Sequence, residues 1–200
     1  MSVDWGERYR LGDTPWEKGQ AHPGLPVLLD EHLEVVAHAR EILVPGCGLG
    51  HDARLIATRT DAAVTGLDIA VGAVEKARSL TEAKGAQGPD WVVGDLFQWE
   101  KSYDLVFEHT CFCAIPVARR PEYVAAMSRL IPAGGFLLGI FFLNPDHDGE
   151  EGPPFGVGMD ELEEFFKADF DLKWSAAPAD TYPSRKGGER EVCLLLQRKN

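Results

Sequence analysis

The segment from residue 41 to residue 68, EILVPGCGLGHDARLIATRTDAAVTGLD, constrains the fold more than any other part of the chain. A short apolar run leads into a turn with three alternating glycines. A stretch with helical spacing of apolar residues follows, and a second apolar run ends at Asp68. This order of strand, tight turn, helix and strand is that of a βαβ unit, so the pattern predicts an α/β fold with a parallel sheet.

The glycine turn and Asp68 together indicate a nucleotide site. Glycine lets the backbone pass close to a ligand, and the start of the following helix offers free N–H groups. Asp68 lies 22 positions after Gly46, where an acid can accept hydrogen bonds from ribose hydroxyls. The spacing G-x-G-x-G, rather than G-x-G-x-x-G, favours S-adenosylmethionine over NAD. A glycine-rich turn without a ligand is the alternative.

Length and charge limit the partners. Two hundred residues fit one α/β domain with a substantial core, and no shift in composition marks a second, so we expect a single domain over residues 1–200. The formal net charge of −12 repels phosphate backbones and anionic lipid, so neither nucleic acid nor membrane is an expected partner. The longest apolar run, 136–143, is too short to span a bilayer, and the N-terminus is polar. We expect a cytoplasmic protein and a monomer.

The cysteines do not favour a metal site. All four stand in apolar strands or beside the glycine turn, where free cysteine behaves as a small hydrophobe. Cys111 and Cys113 lack a second pair at ligand spacing. No metal is expected.

Residues 1–20 show no sustained helical or strand period, yet they carry Trp5, Tyr9 and Trp16. Disordered tails are poor in aromatic residues. The segment either fills the edge of the core or folds over the nucleotide as a lid. A lid would suit a sulfonium cation, which is attracted to an aromatic face.

The rest of the chain alternates between helical and strand patterns. Helices are predicted over 23–40, 70–84, 121–130 and 160–168, and further strands over 91–93, 103–109, 136–143, 170–176 and 191–198. We therefore predict a seven-stranded, mostly parallel sheet with helices on both faces and an antiparallel last strand.

Several polar residues follow the predicted strands. Glu108 and His109 end the fourth strand, which in a doubly wound sheet lies beside the first strand at the ligand-binding edge. They are the best-placed polar side chains for the reacting end of a ligand, with a structural role as the alternative for His109. Asp95, after the third strand, either accepts from an adenine amine or caps its own turn. The Gly/Pro-rich stretch 144–158 is either a substrate lid or a plain connection.

Seven blocks of sequence are more specific. They are TPWEKGQAHP (14–23), ILVPGCGLGHDA (42–53), VTGLDIA (64–70), VVGDLF (92–97), FEHTCFCAIP (107–116), GPPFGV (152–157) and YPSRKGGEREV (182–192). Together they resemble the thiopurine S-methyltransferase family, above all its bacterial members and the plant halide/thiol methyltransferases. Val44 stands where many S-adenosylmethionine enzymes carry an acid, and this departure matches the family.

The resemblance implies a Rossmann-like S-adenosylmethionine-dependent methyltransferase fold and a set of cofactor contacts. Gly46 and Asp68 would hold the methionine and the ribose. Asp95 and Leu96 would flank the adenine, and His109 would contact the cofactor near its methionine end. The N-terminal aromatics named above would close over it. On the acceptor side the family implies Phe155 and Arg185, and Phe112 is a further candidate for an apolar wall.

The implied reaction is the transfer of a methyl group to a small soft nucleophile such as a thiol, thiopurine, halide or thiocyanate. It is an in-line displacement, so alignment and removal of water from the acceptor supply the rate. A free thiol has a pKa of about 8.5 and halides carry no proton, so no general base is assigned. The alternatives are an O- or N-methyltransferase, which would be expected to show a placed base, and a non-catalytic nucleotide-binding module.

Overall fold

One seven-stranded sheet organises the computed structural model, which describes residues 3–83, 88–143, 152–185 and 190–200. The strands are β1 (Glu41–Pro45), β2 (Ala63–Asp68), β3 (Asp90–Val93), β4 (Leu105–His109), β5 (Phe136–Phe142), β6 (Phe170–Ala176) and β7 (Glu191–Arg198). Their order is β3-β2-β1-β4-β5-β7-β6. Strands β1 to β5 pair in parallel, and β7 is antiparallel to both neighbours. The predicted sheet is confirmed.

Helices cover both faces of this sheet. They are α1 (Trp5–Leu11), α2 (Leu25–Glu31), α3 (Leu33–His38), α4 (His51–Ala57), α5 (Val71–Glu82), α6 (Arg120–Leu130) and α7 (Met159–Phe166). Alternate residues of β1 enter two buried clusters: Leu43 packs with α6 and α7, whereas Ile42 and Val44 pack with α2 to α5. Burial on both faces explains why the parallel strands are continuous apolar runs.

The single helix predicted over residues 23–40 is wrong, because the chain forms α2 and α3 instead. The break falls at His32, whose φ of −114° and ψ of 31° lie outside the helical region. The His32 ring packs edge-on against Trp174 of β6, with ring centroids 4.6 Å apart. This contact with a distant strand gives the break a tertiary cause that helical spacing does not reveal.

The N-terminal segment contains a helix that the sequence pattern missed. Asp4 caps α1 by accepting a hydrogen bond from the backbone N–H of Glu7 at 2.9 Å, and Gly12 ends it with φ +70°. None of the residues of α1 is buried. A seven-residue helix without a buried stripe leaves no apolar period to detect.

The strand order reverses between β1 and β4, which are neighbours with Ile42 paired to Leu105. Because both strands are parallel, the glycine turn after β1 and His109 at the end of β4 lie at the same edge of the sheet. Ligands bind at such an edge in doubly wound folds. Among the described residues, no helix combines the length and apolar character needed to cross a membrane.

Candidate active site

The glycine turn after β1 has a backbone that only glycine adopts without strain. Gly46, Gly48 and Gly50 have φ values of +57°, +53° and +74°. A Cβ on Gly50 would lie 2.1 Å from the ring of Trp91, and one on Gly46 would lie 3.0 Å from the Sγ of Cys111. Gly46 itself is exposed. The turn therefore presents bare backbone to the edge of the sheet.

Asp68 faces this turn from the end of β2. Its Oδ2 accepts a hydrogen bond from the backbone N–H of Gly48 at 2.8 Å, and its Oδ1 accepts one from Ala70 at 2.9 Å. Burial raises the pKa of the Asp68 carboxyl, and the backbone hydrogen bonds oppose that rise. A carboxylate accepts about four hydrogen bonds, so both oxygens keep capacity for ribose hydroxyls.

A cleft of ≈ 680 Å³ lies beside Asp68, between α1 and the start of α5. Its walls include Trp5, Tyr9 and residues 69–72, which directly follow Asp68 in the chain. The bare glycine turn, the acid and this cleft fit an adenosyl cofactor.

Asp95 has the capping role that the sequence left as an alternative. It begins the 3₁₀ turn Leu96–Gln98, and its Oδ1 accepts from the backbone N–H of Phe97 at 2.9 Å. Leu96 is 8% exposed. The adenine contacts of Asp95 and Leu96 stay predictions.

The N-terminal aromatics pack on one another against the glycine turn. The ring centroid of Trp16 lies 5.3 Å from that of Trp5 and 5.8 Å from that of Tyr9. The Trp16 indole N–H donates to the Tyr9 hydroxyl at 3.1 Å, and that hydroxyl lies 2.9 Å from where a Cβ on Gly48 would be. The Arg8 guanidinium lies over Trp16 at 4.4 Å. All three rings are half-buried and belong to neither core cluster.

At the end of β4, His109 reaches across the sheet edge to α4. Its Nδ1 lies 2.7 Å from Oδ2 of Asp52, whose Oδ1 accepts from the backbone N–H of His22 at 2.8 Å. Burial alone would raise the pKa of Asp52, but the charge and hydrogen bond of His109 and the bond from His22 hold it below its ordinary value. The ionised Asp52 only accepts, so the hydrogen-bond network assigns a proton to Nδ1 of His109.

Further polar residues surround His109. The ring of His22 meets it edge-on at 4.9 Å, and the ring of Tyr182 stacks on it at 6.2 Å. Glu191 accepts hydrogen bonds from Arg185 and Thr181, and one of its oxygens lies 3.2 Å from Nε2 of His22. The histidine cluster, as it is called below, comprises His22, Asp52, His109, Tyr182, Arg185 and Glu191.

Three members of this cluster have the spacing of metal ligands. One possible ligand atom from each of His22, His109 and Glu191 lies within 4.8 Å of the others. However, the backbone N–H of Gly24 donates to Nδ1 of His22 at 3.1 Å. A neutral His22 ring then carries its proton on Nε2 and donates it to Glu191, so that nitrogen has no lone pair for a metal. The hydrogen bonds explain the cluster without a metal.

Two of the residues predicted on the acceptor side, Phe112 and Phe155, lie together beside Arg120. Phe112 is 1% exposed and packs against four aromatic rings of the core. Phe155 is half-buried, and its backbone N–H donates to the carbonyl of Cys113 at 2.7 Å. The buried Arg120 lies over the Phe112 ring at 4.9 Å and donates to the carbonyl of Phe155 at 3.0 Å. The roles of Phe112 and Phe155 in acceptor binding stay predictions.

The predicted position of Glu108 at the reacting end is wrong. Its side chain is 0% exposed and lies on the opposite face of β4 from His109, because successive strand residues alternate. It accepts hydrogen bonds from the backbone N–H of Phe112 at 2.9 Å and from the Tyr123 hydroxyl. Burial raises the pKa of Glu108. The residue anchors the turn that follows β4.

The predicted lid over residues 144–158 lies partly outside the described residues, which resume at 152.

Sequence reasoning missed Asp52, His22, Tyr182 and Glu191 of the histidine cluster. Each of the four lies in one of the seven blocks that resemble the family, and that was the only signal in the sequence. No local pattern indicated a functional role for any of them.

Fold and site together define the class: a glycine turn after β1, an acid ending β2 and this strand order are those of an S-adenosylmethionine-dependent methyltransferase. The family model for thiopurine S-methyltransferase matches residues 2–197, and the chain belongs to that family. The resemblance found in the sequence blocks, and the cofactor S-adenosylmethionine, are confirmed.

Similar proteins of known name agree with this family assignment. Thiocyanate methyltransferase 1 of Brassica oleracea is 35% identical over 163 residues, covering 80% of this chain and 70% of that one. Thiopurine S-methyltransferase of Xanthomonas campestris is 28% identical over 188 residues, covering 83% of this chain and 82% of that one. The solved N-methyltransferase NodS of Bradyrhizobium japonicum, in complex with S-adenosyl-l-homocysteine, has a TM-score of 0.70 at 15% identity, covering 100% of this chain and 95% of that one. This last likeness concerns the fold alone.

Proposed function

We propose that this methyltransferase moves the methyl group of S-adenosylmethionine to a small soft nucleophile, a thiol, thiopurine, halide or thiocyanate, by in-line displacement. The observation that carries the proposal is the histidine cluster. It joins His109, predicted at the methionine end of the cofactor, to Arg185, predicted on the acceptor side, through Tyr182. The names of the relatives, thiocyanate and thiopurine S-methyltransferase, support these acceptors.

On this proposal the cofactor lies along the carboxyl edge of the sheet. Gly46 would contact its methionine part, Asp68 would accept from the ribose hydroxyls, and Asp95 and Leu96 would flank the adenine. When bound, it supplies a methyl group activated by a sulfonium. The protein's part is to hold that methyl group in line with the acceptor and to exclude water.

The N-terminal segment would be the lid over this cofactor. Two observations support it. None of the residues of α1 is buried, and Trp5, Tyr9 and Trp16 pack together outside the core clusters, with the Tyr9 hydroxyl against Gly48. A segment with so little buried surface opens at low free-energy cost. Its closure would remove water from the acceptor.

The cellular setting belongs to the proposal as well. Cys47, Cys111, Cys113 and Cys193 are all free, as in a reducing compartment, which supports a cytoplasmic location. We also propose that the chain is a monomer built as one domain. Light scattering of the purified protein checks the monomer.

A second candidate is methyl transfer to oxygen or nitrogen. The observation that favours it is the pair of His109 and Asp52, because hydroxyl and ammonium acceptors must lose a proton.

The test of both candidates is a panel of acceptors with S-adenosylmethionine labelled in its methyl group. It contains an aliphatic thiol, a thiopurine, iodide, thiocyanate, a catechol and a primary amine, and methylated products are identified by mass spectrometry. Products from the sulfur and halide acceptors are expected. Methylation of the catechol or amine alone would overturn the proposal in favour of the second candidate.

A further inference from the structure

We propose that His109 is a catalytic base that removes the proton from a neutral thiol acceptor, with Asp52 as the positioning residue that holds its ring. The inference rests on the proposed function and narrows its substrate class to thiols that arrive protonated. Halides and thiocyanate carry no proton, so the proposal separates two acceptor types that the family resemblance groups together.

The first step of the argument is location. His109 ends β4 beside β1, and Asp52 lies in the first turn of α4, two residues beyond the last glycine of the turn. Cys111, two residues after His109, approaches the glycine turn so closely that a Cβ on Gly46 would lie 3.0 Å from its sulfur. His109 and its partner Asp52 therefore lie at the edge of the sheet that carries the glycine turn.

The second step is the protonation state of His109. Nδ1 donates to Asp52 Oδ2 at 2.7 Å, so the neutral ring carries its lone pair on Nε2. The side chain is 8% exposed, and Nε2 is buried without a hydrogen-bond partner among the described residues. A buried acceptor without a donor is unfavourable. A thiol S–H is a donor that would satisfy it.

The third step concerns the groups that face His109. Asp52 approaches from α4, His22 from the segment before α2, and Tyr182 from the segment before β7. Glu108, the residue before it in β4, points to the other face of the strand and pairs with Phe112 and Tyr123 instead. Arg185 faces Tyr182, and its charge is paired with Glu191. Asp52 is therefore the carboxylate in direct contact with the ring, and it would pair with the imidazolium that follows proton transfer.

The chemical step balances without another reactant. The S–H bond of the thiol breaks, and its proton forms an N–H bond at Nε2 of His109. The thiolate sulfur then forms a bond to the methyl carbon as the bond from that carbon to the sulfonium breaks, and the electron pair remains on the cofactor sulfur. The proton on His109 leaves to solvent after the thioether departs. Asp52 stays ionised throughout and keeps the proton on Nδ1.

The test compares two acceptors on one protein. His109→Gln keeps a polar side chain of similar length but removes the base. At pH 7 about 3% of a thiol with a pKa of about 8.5 is already ionised, so the variant should retain about one thirtieth of the parent kcat/KM for it. The loss should grow about tenfold for each unit of higher thiol pKa. Any loss of cofactor contact lowers kcat/KM for thiocyanate as well, so the measured quantity is the ratio of the thiol value to the thiocyanate value, which should fall about thirtyfold in the variant.

Asp52→Asn tests the positioning residue. The Asn oxygen can still accept from the backbone of His22, which leaves its NH₂ group to face His109. Nδ1 of His109 must then accept a hydrogen bond from that NH₂ group. The proton of the neutral ring moves to Nε2, which can no longer act as a base. The same selective loss of thiol methylation is expected. His38→Gln, on the exposed end of α3, is the matched control and should change neither acceptor. Circular dichroism and the thermal unfolding midpoint of each variant verify its folding.

The pH dependence completes the test. Raising the pH toward the pKa of the thiol should restore thiol methylation by His109→Gln, because the acceptor then ionises unaided. Equal losses of kcat/KM for thiol and thiocyanate would overturn this inference and leave the proposed function unaffected. So would a thiocyanate loss that appears only at low pH, because His109 would then act as a cation that attracts anions. A parent enzyme that methylates neither acceptor would overturn the proposed function and the inference with it.

Discussion

The two halves of the active site are assembled in different ways. The cofactor half, from the glycine turn to Asp68, is one continuous stretch of chain whose hydrogen bonds join residues at most 20 positions apart. The histidine cluster instead joins His22 to Glu191, 169 positions away, and Asp52 to His109, 57 positions away. The first half is built mainly of backbone, the second of side chains.

This difference suggests how the two halves respond to substitution. A site built of backbone depends on local conformation, which glycine and the strand ends determine. A site built of buried charged side chains depends on every partner being present, since one missing partner leaves another uncompensated. The histidine cluster should therefore be the more sensitive to substitution, and the following predictions test that expectation.

The largest effect is expected from Glu191→Gln. The Glu191 side chain is 3% exposed, and the substitution removes its ion pair with Arg185. The free energy of unfolding should fall by about 3 kcal/mol, because the half-buried Arg185 charge loses its partner. Affinity for S-adenosylmethionine should change by less than about 0.5 kcal/mol if the two halves are independent. Urea unfolding and calorimetry measure the two quantities. The exposed Glu100→Gln is the control, and an equal loss in both variants would refute the central role of Glu191.

The pH dependence of the same residue sharpens the comparison. Burial opposes ionisation of Glu191, but bonds from His22 and Thr181 and the charge of Arg185 lower its pKa from 4.5 to about 2. A fall of this size corresponds to about 3 kcal/mol. The parent should exceed Glu191→Gln in stability by its full margin above about pH 4.5, and the margin should shrink as the pH falls through about 2. A margin independent of pH would mean that ionisation of Glu191 contributes nothing.

In the cofactor half, Asp68→Ala should weaken binding of S-adenosylmethionine by about 1.5–3 kcal/mol, because it removes charge-assisted hydrogen bonds to the ribose. Calorimetry at constant pH measures the loss. Asp61→Ala, an exposed acid in the turn before β2, is the matched control. Unchanged affinity in a folded Asp68 variant would mean that Asp68 only accepts the backbone hydrogen bonds of Gly48 and Ala70 and does not bind the cofactor.

The smallest effect concerns the lid. The Arg8 guanidinium lies over the Trp16 ring at 4.4 Å, so the ring already accepts one cation, and the proposed lid would bring the sulfonium to it as well. Trp16→Ala should therefore weaken binding of S-adenosylmethionine more than that of neutral S-adenosylhomocysteine, by about 0.5–2 kcal/mol. Affinities for both ligands on parent and variant give the difference. Equal losses would exclude the cation–π contact.

Amide exchange gives a separate test of the lid. Residues 3–20 should exchange quickly without ligand and slowly with it, because none of the residues of α1 is buried. Residues of β1 serve as the internal control and should be protected in both states. If residues 3–20 are equally protected from exchange with and without ligand, these aromatic residues are a permanent part of the core.

The sequence alone was enough for the sheet, its parallel strands, the cofactor S-adenosylmethionine and the placing of Asp68 against the glycine turn. Strand and helix periods are local, and the turn and Asp68 stand within one βαβ unit, so spacing along the chain carried the information. The pattern failed where length or context decided: α1 is too short to show a period, and His32 breaks a helix because of a ring on β6.

Only the tertiary structure decided which polar residues form the histidine cluster. Glu108 and His109 are neighbours in the sequence, yet the pleat of β4 turns the first into the core and the second toward Asp52. The partners of His109 come from α4 and from the segments before α2 and β7, and no spacing in the chain relates them. Their meeting depends on the strand order, which brings the ends of β1, β4 and β5 and the start of the antiparallel β7 to one edge of the sheet.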